Sequence, residues 1–146
     1  MNLNRFISAL LALLTLMSCG CAPVRSTTAV VGVYELRGDG HHIQLKILPA
    51  GTFAETISFK SGTTKQLVGK WQWDGRTSLL SLDDLWIPIE FAPDYIVAAD
   101  SRSGQQPKYT EPGHWVVSPE YQWGTVNIDI FPDADIGFKK TANIRN

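Results

Sequence analysis

Few side chains in this sequence are chemically reactive, and their spacing decides what they could do. Two thiols, Cys19 and Cys21, sit near the amino end, with a single glycine between them. Three imidazoles follow, the adjacent pair His41-His42 and the isolated His114. Neighbouring residues of a strand point to opposite faces, so His41 and His42 cannot readily hold one ion, and no metal site is expected. Asp133, Asp135 and Gly137 have the beginning of a calcium-loop spacing without the acidic ligands further on, and Phe131-Pro132-Asp133-Ala134-Asp135 reads as a turn. Asp83-Asp84 with Glu90 could form a carboxylate pair, but acidic residues at strand ends are ordinarily solvated. There is no Gly-x-Ser-x-Gly elbow and no cysteine beyond Cys21. No catalytic residues, no cofactor and no enzymatic activity are therefore expected.

The thiol at Cys19 is different, because of what precedes it. Arg5 is the only charged side chain of the first eighteen residues, and Phe6 to Met17 is almost wholly apolar. Twelve helical residues span about 18 Å at roughly 1.5 Å each, too little for a hydrocarbon core of about 30 Å. The stretch reads as a removable export signal and not as a membrane span. Leu16-Met17-Ser18-Cys19 at its end resembles the lipobox of bacterial lipoproteins, with Met17 where a smaller residue is usual. That resemblance implies cleavage before Cys19 and acylation of its thiol. Cys21 is the second candidate, although it lacks the leucine three residues upstream; an ordinary secretory signal would require neither cysteine.

Acylation implies a domain anchored to a membrane without crossing it. By the same resemblance, an aspartate after the modified cysteine favours the inner membrane of a Gram-negative cell. Gly20 is not Asp, so the expected place is the outer membrane, facing the periplasm. The expected organisation is a signal peptide over residues 1–18, a lipidated tether over 19–28 and one domain over 29–146. The tether, as nine extended residues from Gly20 to Thr28, would reach about 30 Å.

After the leader, about 127 residues remain, enough for one core and too few for two domains. Loss of Arg5 lowers the 13 basic side chains to 12 against 14 acidic ones. The charges are scattered, so the basic stripe of a nucleic-acid binder is missing and no nucleic-acid partner is expected. With both cysteines at the anchor, the domain must hold by its core and not by a disulfide.

From Ala29 onward the hydrophobic period is two. Ile43, Leu45 and Ile47 alternate with Gln44 and Lys46, between turn residues Arg37-Gly38-Asp39-Gly40 and Pro49-Ala50-Gly51. Thr52 to Phe59 turns Phe53, Ile57 and Phe59 inward, and Glu55 shares their parity, so it needs a bulge, a partner or an opening to water. Leu67, Gly69, Trp71 and Trp73 share a face, Asp74-Gly75 is a hairpin signal, and Leu80 and Leu82 follow. Further strands are expected at Leu85–Phe91, Tyr95–Ala99, His114–Val117, Gly124–Ile130 and Ile136–Lys139. Pro88 must sit at an edge, a bulge or a strand end. No amphipathic helical period is evident, so the expected fold is all-β, an antiparallel meander barrel or a sandwich of about eight to nine strands. Ser101 to Gly113 is the one long polar loop.

Gly32-Val33-Tyr34, Gly51-Thr52-Phe53 and Gly69-Lys70-Trp71 resemble the glycine-plus-aromatic punctuation of lipocalin-like, or calycin, barrels. Asp94-Tyr95 is similar to the core of a second lipocalin motif, with Ala98 where another tyrosine is usual. Tyr34 replaces the family's tryptophan, and the main C-terminal helix has no counterpart. The resemblance implies a closed up-and-down barrel and an apolar ligand inside. Phe53, Phe59, Trp71, Trp73, Trp86 and Phe91 are the candidates for its interior, as core or as ligand cage.

Two functions follow. A lipid-anchored barrel could present a surface to another envelope protein, with Trp115, Trp123 and Tyr109 around the long loop as the candidate recognition residues. Alternatively, it could carry a small apolar ligand. A hollow interior would favour the carrier and a filled one the protein contact.

Overall fold

The computed structural model describes residues 22–38, 40–91, 111–132 and 136–144. The leader, Cys19, Cys21, Tyr109, the expected strand Tyr95–Ala99 and the carboxylates Asp133 and Asp135 lie outside them. Alternation produces what it promised. Strands β1 (Ala22–Pro23), β2 (Gly32–Arg37), β3 (His42–Ile47), β4 (Thr52–Ser58), β5 (Thr64–Asp74), β6 (Leu79–Leu85), β7 (Gly113–Val117), β8 (Pro119–Gln122), β9 (Thr125–Phe131) and β10 (Ile136–Ala142) form one curled, barrel-like antiparallel sheet. Its order is β1-β8-β9-β10-β2-β3-β4-β5-β6-β7. A single sheet selects the barrel-like arrangement over the sandwich. Among the described residues the helical elements are one turn, α1 (Thr27–Val30), and a 3-10 turn at Ile89–Phe91.

The inward residues of successive strands lie side by side. Tyr34 is opposite Leu45, which is opposite Glu55, which is opposite Leu67. Phe53, Ile43, Ile47, Ile57, Leu80, Leu82, Ile128 and Phe138 are fully buried in one continuous cluster. Each such side chain contributes roughly 1.5–3 kcal/mol of burial. Tyr34 joins them by donating its hydroxyl to the Val30 carbonyl at 2.5 Å, so α1 is strapped across one end of the sheet.

Sheet closure depends on a change of partner. The first half of residues 113–122 pairs with β6 and the second half with β9. Ser118 separates the halves, and Pro119, which has no N–H for a ladder, opens β8. One stretch of chain thus joins the two ends of the sheet.

Two expectations are corrected. Leu85–Phe91 is not a strand: β6 ends at Leu85, and Pro88 accepts from Phe91 N–H at 3.0 Å in the 3-10 turn. Asp74-Gly75 does open a hairpin, between β5 and β6. Residues 75–78 form the turn, with the Asp74 carboxylate accepting from Arg76 N–H and the Thr77 hydroxyl, both at 2.9 Å. These donors hold the Asp74 carboxyl below its usual range, the Arg76 N–H most of all.

The second correction concerns the tether. Ala22-Pro23 pairs with β8, Val24 is fully buried with its N–H on the Pro119 carbonyl at 3.1 Å, and Thr27–Val30 is helical. Residues 22–24 are held on the sheet and not free, Val24, Val30 and Val31 close the end of the core, and residues 25–28 stay exposed. Short, proline-containing and without alternation, β1 carried no period to read.

Candidate functional site

The six aromatics expected inside divide by position. Phe53, Trp71 and Phe91 are buried, while Phe59, Trp73 and Trp86 are partly buried against the core. Trp71 Nε1–H donates to the Leu48 carbonyl at 2.8 Å, tying β5 to the β3–β4 turn. At the opposite end, His41 stands edge-on to Phe59 and Phe91, with ring centroids 6.1 and 5.8 Å apart. Trp86 leans on Phe59 at 6.0 Å, and Lys65 Nζ lies 3.9 Å from the centre of the Trp86 ring. These rings cap the core. His42 looks the other way, toward Glu35 at 3.7 Å, as adjacent strand residues must. Among the described residues, no three His, Cys, Asp or Glu side chains converge as ion ligands.

Beneath the aromatic cap is Glu55, only 1% exposed. Its Oε2 accepts from Trp86 N–H at 3.1 Å, while Oε1 has no hydrogen-bond partner. Burial pushes the carboxyl up to about 8, with the Trp86 N–H and the Lys65 charge opposing the shift. Glu55 thereby takes the partner its parity required, and it holds the chain where β6 ends.

Along the outside, clefts follow the places where strands part. One of about 470 Å³ lies between β2 and β10 beside Arg37 and Lys139. Another, of about 450 Å³, opens where β7 and β9 diverge, bordered by His114, Trp115, Val116, Asp129 and Ile130. β7 pairs with β6, the Asp129–Phe131 part of β9 pairs with β10, and the two strands diverge across this cleft. His114 Nδ1–H donates to Asp83 at 2.5 Å, fastening β7 to β6 where the register shifts between Leu82 and Leu85.

The two candidate recognition tryptophans differ sharply. Trp115 is partly buried, edge-on to Phe131 at 6.1 Å, and its Nε1–H donates to the Leu85 carbonyl at 3.2 Å. Trp123 is 84% exposed. It forms with Gly124 the two-residue β8–β9 turn, in which both have positive φ, 53° and 80°. Such turns favour Asn-Gly, because a bulky residue in the left-handed region is strained. Trp115→Ala should therefore cost about 2 kcal/mol through lost packing, whereas Trp123→Asn should gain about 1 kcal/mol. Urea unfolding of the two variants checks this; similar shifts for both would refute the division.

The His114–Asp83 bond and the open β7 edge could not be read from the sequence, since both depend on which strands fail to meet. No protein-family model matches the chain, and no curated protein does either. The chain is similar to the crystal structure of an uncharacterized protein from Bacteroides eggerthii DSM 20697, with 17% identity over 76% of this chain and 98% of that one, at a TM-score of 0.43.

Proposed function

We propose that this chain is an exported, lipid-anchored envelope protein whose domain binds another protein without catalysing a reaction. The lipid is carried on Cys19, and the domain faces the periplasm from the outer membrane. The observation that carries the binding reading is the parting of β7 and β9. β7, the last strand in the sheet order, and β9 border one cleft of about 450 Å³, and Val116 on β7 is 51% exposed beside it. An extended segment of a partner can add to such an edge, with backbone hydrogen bonds for affinity and side-chain contacts for choice. The carrier alternative, a lipocalin-like barrel around an apolar ligand, requires a hollow. Here Tyr34, Phe53, Trp71 and Phe138 occupy that space.

The test places a photo-crosslinking residue at Val116 and, as control, at Lys46 on the exposed face of β3. Adducts with an envelope protein are expected at Val116 and not at Lys46. No adduct at Val116, or equal labelling at both positions, would overturn protein contact at this edge. A melting temperature rising with the logarithm of apolar ligand concentration would favour the carrier. Mass spectrometry of the mature amino terminus tests the anchor: an unmodified terminus at Ala22 or beyond refutes it.

A further inference from the structure

Resting on the lipid-anchor reading, we infer that the β8–β9 turn carrying Trp123 is a second membrane contact, seating its indole in the headgroup layer beside the acylated cysteine. β1 fixes the direction of the chain. Ala22 lies opposite Tyr121 and Pro23 opposite Glu120, antiparallel. Going back along β1 toward the amino end is therefore going forward along β8 toward Trp123. The amino end of β1 thus points toward the end of the sheet that presents the exposed indole.

The lengths agree. Cys19 is three residues before Ala22, a contour of at most about 11 Å. Two strand residues carry β8 about 7 Å from Tyr121 to Trp123 in that same direction. Each headgroup layer is roughly 5–7 Å thick. A free tether of nine residues would leave the domain's height undetermined, but pairing of Ala22-Pro23 with β8 and burial of Val24 leave Cys19 only three residues before the sheet. Tyr121, also exposed, borders the same turn. Tryptophan and tyrosine are the side chains that favour this layer, with an apolar ring and a polar N–H or O–H.

Strain is the independent observation. Trp123 occupies the left-handed position of a turn that Asn would fill at lower cost, and at 84% exposure its ring buries too little to repay the difference. A large apolar ring held out at the tip of a tight, rigid turn gains nothing for the fold. It gains from an apolar or interfacial surface outside it.

The experiment uses the acylated full-length mature protein, reconstituted into phosphatidylcholine vesicles with acyl chains brominated near the headgroup. Trp123→Asn is the comparison, since it removes the indole and suits the turn. Brominated lipid is expected to quench part of the wild-type tryptophan emission, and that quenching is expected to vanish in Trp123→Asn, whose melting temperature should not fall. Equal quenching in both proteins, or none in a vesicle-bound wild type, overturns the second contact and leaves the anchor standing. Protein that stays off the vesicles with an unmodified amino terminus overturns the anchor itself. A crosslinker at position 123 that labels an envelope protein and not lipid assigns the turn to a protein partner and overturns the inference.

Discussion

Gly69→Ala should destabilise the domain by about 3 kcal/mol, the upper end of what one added methyl costs in a packed interior. Gly69 lies on β5 directly opposite Phe53 of β4. A Cβ at this position would collide with the Phe53 ring and with the Asp83 carbonyl oxygen. The ring could shift, since its χ angles are free to adjust, but the carbonyl cannot readily do so. Asp83 belongs to the irregular end of β6, where Asp84 has a φ of 69° and the register with β7 shifts before Leu85. Urea unfolding gives the measurement, with Gly113→Ala as control, because a Cβ there would meet nothing within 4 Å. Combining Gly69→Ala with Phe53→Ala should recover only the part of the cost due to the ring. A cost below about 0.5 kcal/mol for Gly69→Ala would refute the crowding.

Gly69 also shows what the sequence made legible. The triplet Gly69-Lys70-Trp71 reads as glycine and aromatic at barrel-like spacing; the physical reason is that the Phe53 ring lies over the missing side chain while Trp71 fills the next inward place. Strand positions with strict alternation were read to within a residue or two, including β3 and β4. Leu85–Phe91 misled because Leu85, Ile87, Ile89 and Phe91 alternate as a strand would, yet the chain leaves the sheet after Leu85 and the 3-10 turn exposes Ile89 while burying Phe91. The segment 113–122 is one extended stretch in sequence. Its split into β7 and β8 is set by which neighbours it meets, with Pro119 as the only local sign.

The site residues were legible to the extent that exposure follows from turn chemistry. Trp123-Gly124 can be seen as a turn once its flanking strands are placed, so an exposed indole follows. Trp115 was grouped with it by proximity in sequence, yet β7 turns that ring toward Phe131. Alternation within β7 explains the difference: Val116 and His114 face out, while Trp115 and Val117 face the core. Nothing local to residues 22–24 announces that they pair with the sheet, because that contact joins positions almost a hundred residues apart.

Stability should fall as pH rises from about 5 to about 8, and Glu55→Gln should remove much of that fall. Burial sets the carboxyl's affinity for its proton, lifting it from 4.5 to about 8 in the fold. The folded state thus holds a proton that the unfolded chain releases near pH 4.5. The stabilisation this lends is complete below that value, declines at up to about 1.4 kcal/mol per pH unit through the window, and is lost above about pH 8. Across the whole interval the change is on the order of 4 kcal/mol. Glu35 and Asp74 shift the other way, held low by Arg37 and by turn N–H groups respectively, so their effect falls below pH 4.5 and outside this window. Gln keeps an acceptor for Trp86 N–H and has no proton to lose, so its stability should vary far less over the same range. Its own unpaired amide hydrogens where Oε1 stood add a cost of about 1–3 kcal/mol that does not depend on pH. The two curves should therefore converge or cross as pH rises, with the wild type ahead at pH 5. Unfolding by urea from pH 5 to pH 8.5 makes the comparison, and parallel curves would show that Glu55 is not the group whose ionisation the fold resists.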